Sequence, residues 1–289
     1  MMKAAIVGFG TISIVHIDAI ASNPGMELVA ICDINEALAA KVPDGVKVYT
    51  DYKQMVEEVK PDVVHNCLPH YLHYPVTKDL VEMGCNVFCE KPIALNSMEA
   101  EKFSALEKAH PEVKIGVCLQ NRMNETTEEL KKIIDSGEYG KVTGIRGFVP
   151  WRRDNTYYEA QPWRGKWKYA GGGSMINQSL HTLDLLYFLG GDIAKLHAVV
   201  GQTNEYGIEV EGDIIARQSL PTVPTACSSP PTTTGPTSPS RSAWPWRRAC
   251  STSRTTPCTR SIPIRAVRSS SGLPSWRASS STTVPPIPV

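Results

Sequence analysis

KAAIVGFGTISIVHIDAIASNPGMELVAICD, residues 3–33, decides the architecture of this chain. An apolar run, Lys3–Val7, turns at Gly8-Phe9-Gly10. Residues 12–22 follow with helical patterning, Asn23-Pro24-Gly25 stops them, and a second apolar run from Met26 to Cys32 ends at Asp33. Strand, glycine turn, helix and strand make a βαβ unit, whose two strands lie parallel. The turn Gly8-Phe9-Gly10-Thr11-Ile12-Ser13 sits between strand and helix, where backbone N–H groups can approach a pyrophosphate at the helix N-terminus. Ser13 occupies the third-glycine position of that pattern, which mainly requires a small side chain. Asp33 ends the second strand, where a carboxylate accepts from ribose hydroxyls and repels a 2′-phosphate; the plainer reading is a strand-end turn former.

The same grammar continues outward: helix 35–41, strand 47–49, helix 51–59, strand 62–67, helix 72–84, strand 86–89, helix 97–110 and strand 113–118. Strands alternating with helices predict an α/β domain, residues 1–118, built on a doubly wound parallel sheet. Residues 119–216 change style and predict an incomplete α+β second domain. It comprises a helix at 125–136, a strand at Thr143–Val149, an aromatic and Arg-rich loop from Trp151 to Tyr169, a single helix from Met175 to Leu189 opened by Gly171-Gly172-Gly173, and a strand at Ile193–Thr203.

The chain has 289 residues, 30 basic and 29 acidic, a net charge of +1. A near-neutral balance argues against nucleic acid or an anionic membrane as the main partner. No apolar run approaches the ~18–20 residues of a membrane span, and the N-terminus lacks the regions of a signal peptide. Cys32, Cys67, Cys85, Cys89 and Cys118 lie mostly in apolar runs, which suits reduced cysteine and a cytoplasmic location.

Residues 217–289 are a different polypeptide. They carry nine Arg and no Lys, Asp or Glu, and 50 of the 73 are Ser, Thr, Pro or Arg. Such composition cannot bury enough apolar surface to offset chain entropy and predicts disorder. A natural basic tail is one reading. The other is a frameshift near Arg217–Ser219, because codons shifted by one base permit two apolar strands around an Asp-Gly turn where the interrupted domain needs them.

Several side chains carry chemistry. Cys67, His70 and His73 have metal-like spacing, but no fourth ligand is placed nearby and the segment faces the crevice, so no metal is expected. His16 and His65 read as packing or helix-surface residues. Glu90-Lys91-Pro92 ends a strand on the crevice side; a lysine among apolar strand ends has its pKa lowered and can exchange a proton with a substrate hydroxyl, whereas a solvated Lys91–Glu90 pair would do nothing. Asn177, His181 and Asp184 fall on one face of the predicted 175–189 helix, a pattern shared by ordinary solvated faces.

GFGTISIVH, the Cys32-Asp33 pair, CLPHYLH, CEKPIALN and GGGSMINQSLHTLDLLYFLGG, in this order and spacing, resemble the Gfo/Idh/MocA oxidoreductases over residues 3 to about 216. The resemblance implies a Rossmann-type fold, NAD as cofactor, and hydride transfer to or from a hydroxyl of a sugar, nucleotide sugar or cyclitol. It implies Lys91 and His181 as catalytic groups with Asn177, which stands where many members have Asp and cannot titrate. It also implies cofactor contacts from Gly8, Phe9, Gly10, Thr11, Ile12, Asp33, Leu68, Pro69, His73, Glu90 and Lys91. The segment WRRDNTYYEAQPWRGKW is similar to the branch acting on nucleotide sugars, with Arg153, Tyr158, Trp163 and Arg164 (or Arg152) joining Asn177 and Asp184 around the substrate. A homo-oligomer is implied if the C-terminal sheet is intact. A non-catalytic dinucleotide-binding protein, an inactive frameshifted product and an NAD-dependent glycosidase are the competing readings.

Overall fold

The computed structural model describes residues 1–151, 153–201 and 208–219. Arg152, the 220–289 part of the Ser/Pro/Arg-rich segment, and the last two residues of the expected 193–203 strand lie outside the described residues.

β1 (Met2–Val7), β2 (Met26–Cys32), β3 (Lys47–Tyr49), β4 (Val63–Asn66), β5 (Asn86–Cys89) and β6 (Ile115–Val117) form one parallel sheet in the order β3-β2-β1-β4-β5-β6. β1 pairs with β2 on one side (Val7 opposite Cys32) and with β4 on the other (Val7 opposite Asn66), so the order reverses between β1 and β4. At that switch point the helices that follow diverge to opposite faces, and a crevice opens at the carboxyl ends of the strands.

The linking helices are α1 (Thr11–Ala21), α2 (Tyr52–Val59), α3 (His70–Glu82) and α4 (Ser97–Ala109). Their starts are written in the sequence. Asp51 accepts from the N–H groups of Lys53 and Gln54, and Asn96 accepts from the Glu99 N–H, the side-chain capping that a helix N-terminus needs. Two apolar layers hold the sheet: Val64, Leu80, Val81 and Val87 on one face, Ile6, Ile20 and Ile31 on the other. The predicted helix over 35–41 is only a 3₁₀ turn, Glu36–Lys41, opened by the Asn35 side chain; it buries no residue that would reward a longer helix.

Beyond the sheet come α5 (Glu125–Ser136), α6 (Asn155–Glu159), α7 (Trp167–Ala170), α8 (Ser174–Asn177) and α9 (Leu180–Gly190), then an antiparallel pair, β7 (Lys195–Gly201) with β8 (Asp213–Ser219). Two expectations are corrected here. Residues 143–149 form no strand: they pair with neither β7 nor β8, and Gly147 lies instead against the Thr182 and Leu186 side chains of α9. The single 175–189 helix is broken: the Ser179 N–H returns to the Ser174 carbonyl, Leu183 starts a new ladder on Ser179, and Asn177 stands on α8 while His181 and Asp184 stand on α9.

No helix among the described residues is long and apolar enough to cross a membrane.

Candidate active site

Gly8 takes φ +93°, and a Cβ there would lie 2.9 Å from the Cys67 carbonyl carbon and oxygen, so only glycine lets the turn pass over the end of β4. Gly10 is the opposite case: a Cβ would meet nothing within 4 Å. Gly10 is also the N-cap of α1, where no side chain caps the first N–H groups. An open space over uncapped helix donors fits the pyrophosphate of a dinucleotide. Asp33 accepts from the Phe9 N–H (2.7 Å) through Oδ2 and from the Asn35 N–H (2.9 Å) through Oδ1, which fixes the carboxylate at the carboxyl end of β2. Each oxygen keeps a second lone pair for a ribose hydroxyl. Thr11 and Ile12 open α1, while Leu68 and Pro69 line the rim after β4.

His73 is buried beneath that rim. It is 1% exposed, and both ring nitrogens lie 2.6 Å from carbonyls, Nδ1 from Pro92 and Nε2 from Leu68, so it ties two crevice turns together. His70 binds the Ala170 carbonyl at 2.9 Å and packs against Trp163 with ring centroids 4.5 Å apart, which draws the Arg-rich segment onto α3.

Burial holds the Lys91 ammonium below its ordinary pKa, with Glu90 opposing and Arg153 adding to the fall. Its Nζ donates to Asn177, 2.8 Å to the backbone oxygen and 3.3 Å to Oδ1. Lys91 is not paired with Glu90. That carboxylate instead accepts from His16 Nε2 (3.0 Å) and the Lys91 N–H (3.1 Å), and these donors, with the Cys118 thiol nearby, outweigh its burial and hold its pKa down. Asn177 Nδ2 donates to the Tyr157 hydroxyl at 2.5 Å, and Gln178 Nε2 does so at 3.2 Å. With both lone pairs of that hydroxyl taken, its own proton is free to point at a ligand.

His181 is 9% exposed, its Nδ1 is buried without a partner among the described residues, and burial and the nearby Lys91 charge push its pKa down. A neutral imidazole with an unengaged nitrogen can accept or deliver a proton. Arg122 grips both oxygens of Asp184, with Nε at 2.8 Å, and stacks 4.8 Å from the Phe188 ring, so this carboxylate anchors α9. Arg164 lies 4.3 Å over the Tyr157 ring, donates to the Tyr157 carbonyl and leaves a buried Nε without a partner among the described residues. Arg153 lies 5.0 Å from the same ring. The buried tyrosine Tyr158 packs edge-on to Tyr157 and supports the pair.

Tyr157, Gln178 and Glu211 escape a sequence reading. Glu211 is 6% exposed and clamps the glycine run by accepting from the N–H groups of Gly173 (2.9 Å) and Met175 (3.1 Å). Its partner is 38 residues away, and nothing in the local pattern around either segment signals the contact.

Two neutral histidines make the fold acid-sensitive. Burial lowers His65 to a pKa of about 4, with His16 adding to the fall, and burial lowers His70 to about 3. The unfolded chain binds these protons near its ordinary value of about 6.5, so stability is full above that pH and falls as pH drops toward the folded values. Each group should withdraw on the order of 2 kcal/mol by about pH 5. Melting temperatures between about pH 8 and pH 5 check this: a fall is expected, shallower in His65→Asn, and a flat profile contradicts the assignment.

Residues 2–117 match the family described as an oxidoreductase family with an NAD-binding Rossmann fold, and residues 127–220 match the GFO/IDH/MocA C-terminal domain. Escherichia coli D-glucoside 3-dehydrogenase is 32% identical over 206 residues, 67% of this chain and 56% of that protein. Inositol 2-dehydrogenase of Salmonella typhimurium is 30% identical over 151 residues, 50% of this chain and 45% of the relative. The chain thus spans about half the length of these curated relatives. The crystal structure of the WlbA dehydrogenase from Bordetella pertussis, in complex with NADH and UDP-GlcNAcA, superposes with a TM-score of 0.69 at 32% identity, covering 76% of this chain and 67% of that one.

Proposed function

From the premise that the chain belongs to the Gfo/Idh/MocA oxidoreductases, we propose that it is built to transfer a hydride between NAD and a hydroxyl of a sugar, nucleotide sugar or cyclitol. The observation that carries this reading is the meeting of Lys91, from the parallel sheet, with Asn177, from the second part of the chain, beside the unengaged His181 nitrogen. Bound NAD supplies the hydride acceptor. Lys91, neutralised easily by its burial, takes the hydroxyl proton, and His181 lies within electrostatic reach to share it. Asn177 holds the lysine without titrating, and Tyr157 offers its proton to a substrate oxygen.

Arg153 and Arg164 around Tyr157 favour a substrate bearing a carboxylate or phosphate, which a guanidinium grips bidentately. Trp163 backs the site from beside His70. The experiment is NADH formation from NAD with a panel of inositols, hexosides and UDP-linked uronic sugars; turnover restricted to neutral sugars overturns the anionic preference. Turnover without net NADH would instead favour the glycosidase reading.

Asp33 sets the expected cofactor choice. A 2′-phosphate beside its carboxylate is repelled by about 1–4 kcal/mol, so NADH should bind at least ~10-fold more tightly than NADPH. Fluorescence titration with both nucleotides decides it, and tighter NADPH binding sinks the assignment.

The division of labour is part of the proposal: residues 1–118 hold the dinucleotide, and 119–216 supply the substrate site and, in an intact sheet, a homo-oligomer interface. The reading frame changes near Arg217–Ser219. In support, no acidic residue follows Asp213, the family match stops at 220, and β7 and β8 leave Leu196, Val199, Val200 and Ile215 exposed, as strands of an unfinished sheet would. The nucleotide sequence across codons 210–225 tests it; a frame without an ordered continuation there refutes it.

A further inference from the structure

Under the carboxyl ends of β5 and β6, a polar cluster joins residues far apart in sequence. His16 on α1, Glu90 at the end of β5 and Cys118 just after β6 each offer one ligand atom, and the three atoms lie within 4.8 Å of one another. His16 is 5% and Glu90 7% exposed, while Cys118 is half-buried at the crevice edge. The nitrogen and oxygen already interact, with His16 Nε2 3.0 Å from Glu90 Oε1, and the neighbouring Cys118 thiol donates to Gln120 Oε1 at 3.7 Å. The other nitrogen of His16, Nδ1, lies 2.9 Å from Nδ1 of His65, whose ring packs edge-on against Phe88 and is held in place.

We propose that His16, Glu90 and Cys118 form a binding site for a thiophilic divalent cation, zinc being the best match. Zinc takes imidazole, carboxylate and thiolate at about 2.0–2.3 Å, which puts neighbouring ligand atoms about 3–4 Å apart, close to the spacing already present. On binding, the thiol proton and the proton between His16 and Glu90 leave to solvent, and three metal–ligand bonds replace two hydrogen bonds. One thiolate and one carboxylate then balance the dication, which suits a buried position. Three protein ligands leave the fourth tetrahedral position for water from the crevice. His65 is the outer partner: accepting from His16 Nδ1–H, it fixes the tautomer that presents Nε2 to the metal. A hard cation such as magnesium prefers all-oxygen ligands and should not compete.

The test uses the whole chain and needs no substrate, so it is independent of the hydride-transfer reading. Cobalt(II) titration should give a thiolate-to-cobalt charge-transfer band saturating at one equivalent, reversed by zinc and unaffected by magnesium. Zinc should protect Cys118 from alkylation, read peptide by peptide. Cys118→Ser should abolish the band, and His65→Leu should weaken binding by ~10–100-fold while keeping it. A cobalt spectrum without a thiolate band, or zinc affinity equal in wild type, His16→Gln and Cys118→Ser, overturns the proposal. Because the wild-type spectrum is itself decisive, a variant that fails to fold does not rescue it.

Discussion

Lys91→Ala and His181→Ala, each made in a frame-restored protein, should lower turnover by at least the ~10²-fold typical of lost acid–base catalysis, and His181→Ala should leave NADH affinity nearly unchanged. Lys91 Nζ is directed at Asn177, and His181 stands on α9, so neither side chain is part of the glycine turn proposed for the dinucleotide. The pH profile separates a chemical role from a structural one. Burial lowers the Lys91 pKa, so hydroxyl oxidation should rise with pH as the amine neutralises, at lower pH than an exposed lysine would allow. That limb should vanish in Lys91→Ala. Near-normal turnover in both variants removes them from the mechanism.

The second large effect is a contrast between two glycines. Gly8→Ala forces a methyl against the Cys67 carbonyl at 2.9 Å and a left-handed φ on alanine, a cost of about 1–3 kcal/mol or more, and should lose both thermal stability and NADH binding. Gly10→Ala meets nothing within 4 Å among the described residues. It should keep the melting temperature within about a degree or two, as a surface change does, yet weaken NADH by roughly 10-fold or more, because its methyl occupies the space the pyrophosphate needs. Differential scanning fluorimetry with and without NADH reads both. Equal stability of the two variants, or full NADH affinity in Gly10→Ala, contradicts the cradle.

The parallel sheet was legible because its signals are local. Lys3–Val7, the glycine turn and Asp33 lie within one βαβ unit, and each strand of a sheet covered on both faces reads as an apolar run. The second part was less legible. The Leu-rich 175–189 pattern suits one helix, but tertiary contacts break it: Asn177 bonds Lys91 and Tyr157, and Ser179 starts the next ladder. A sequence reading names Tyr158, whereas Asn177 and Gln178 donate to Tyr157; a five-residue helix has too few turns for its faces to show in the pattern. Asp184 shared the stripe of His181 but meets Arg122, 62 residues away. His16, Glu90 and Cys118 carry no motif spacing, and only the ordering of β1, β4, β5 and β6 brings them together. Cys67, His70 and His73 have the spacing, yet their histidines are engaged by backbone carbonyls.

The most direct measurement is NADH appearance when the frame-restored protein meets NAD and a UDP-linked uronic sugar or an inositol carrying deuterium on the reacting carbon. The account predicts deuterium on the nicotinamide ring of the product and its loss in Lys91→Ala. A wild-type protein that binds NADH but moves no deuterium from any member of the panel, with Lys91→Ala indistinguishable from it, would make this a dinucleotide-binding protein and not a dehydrogenase.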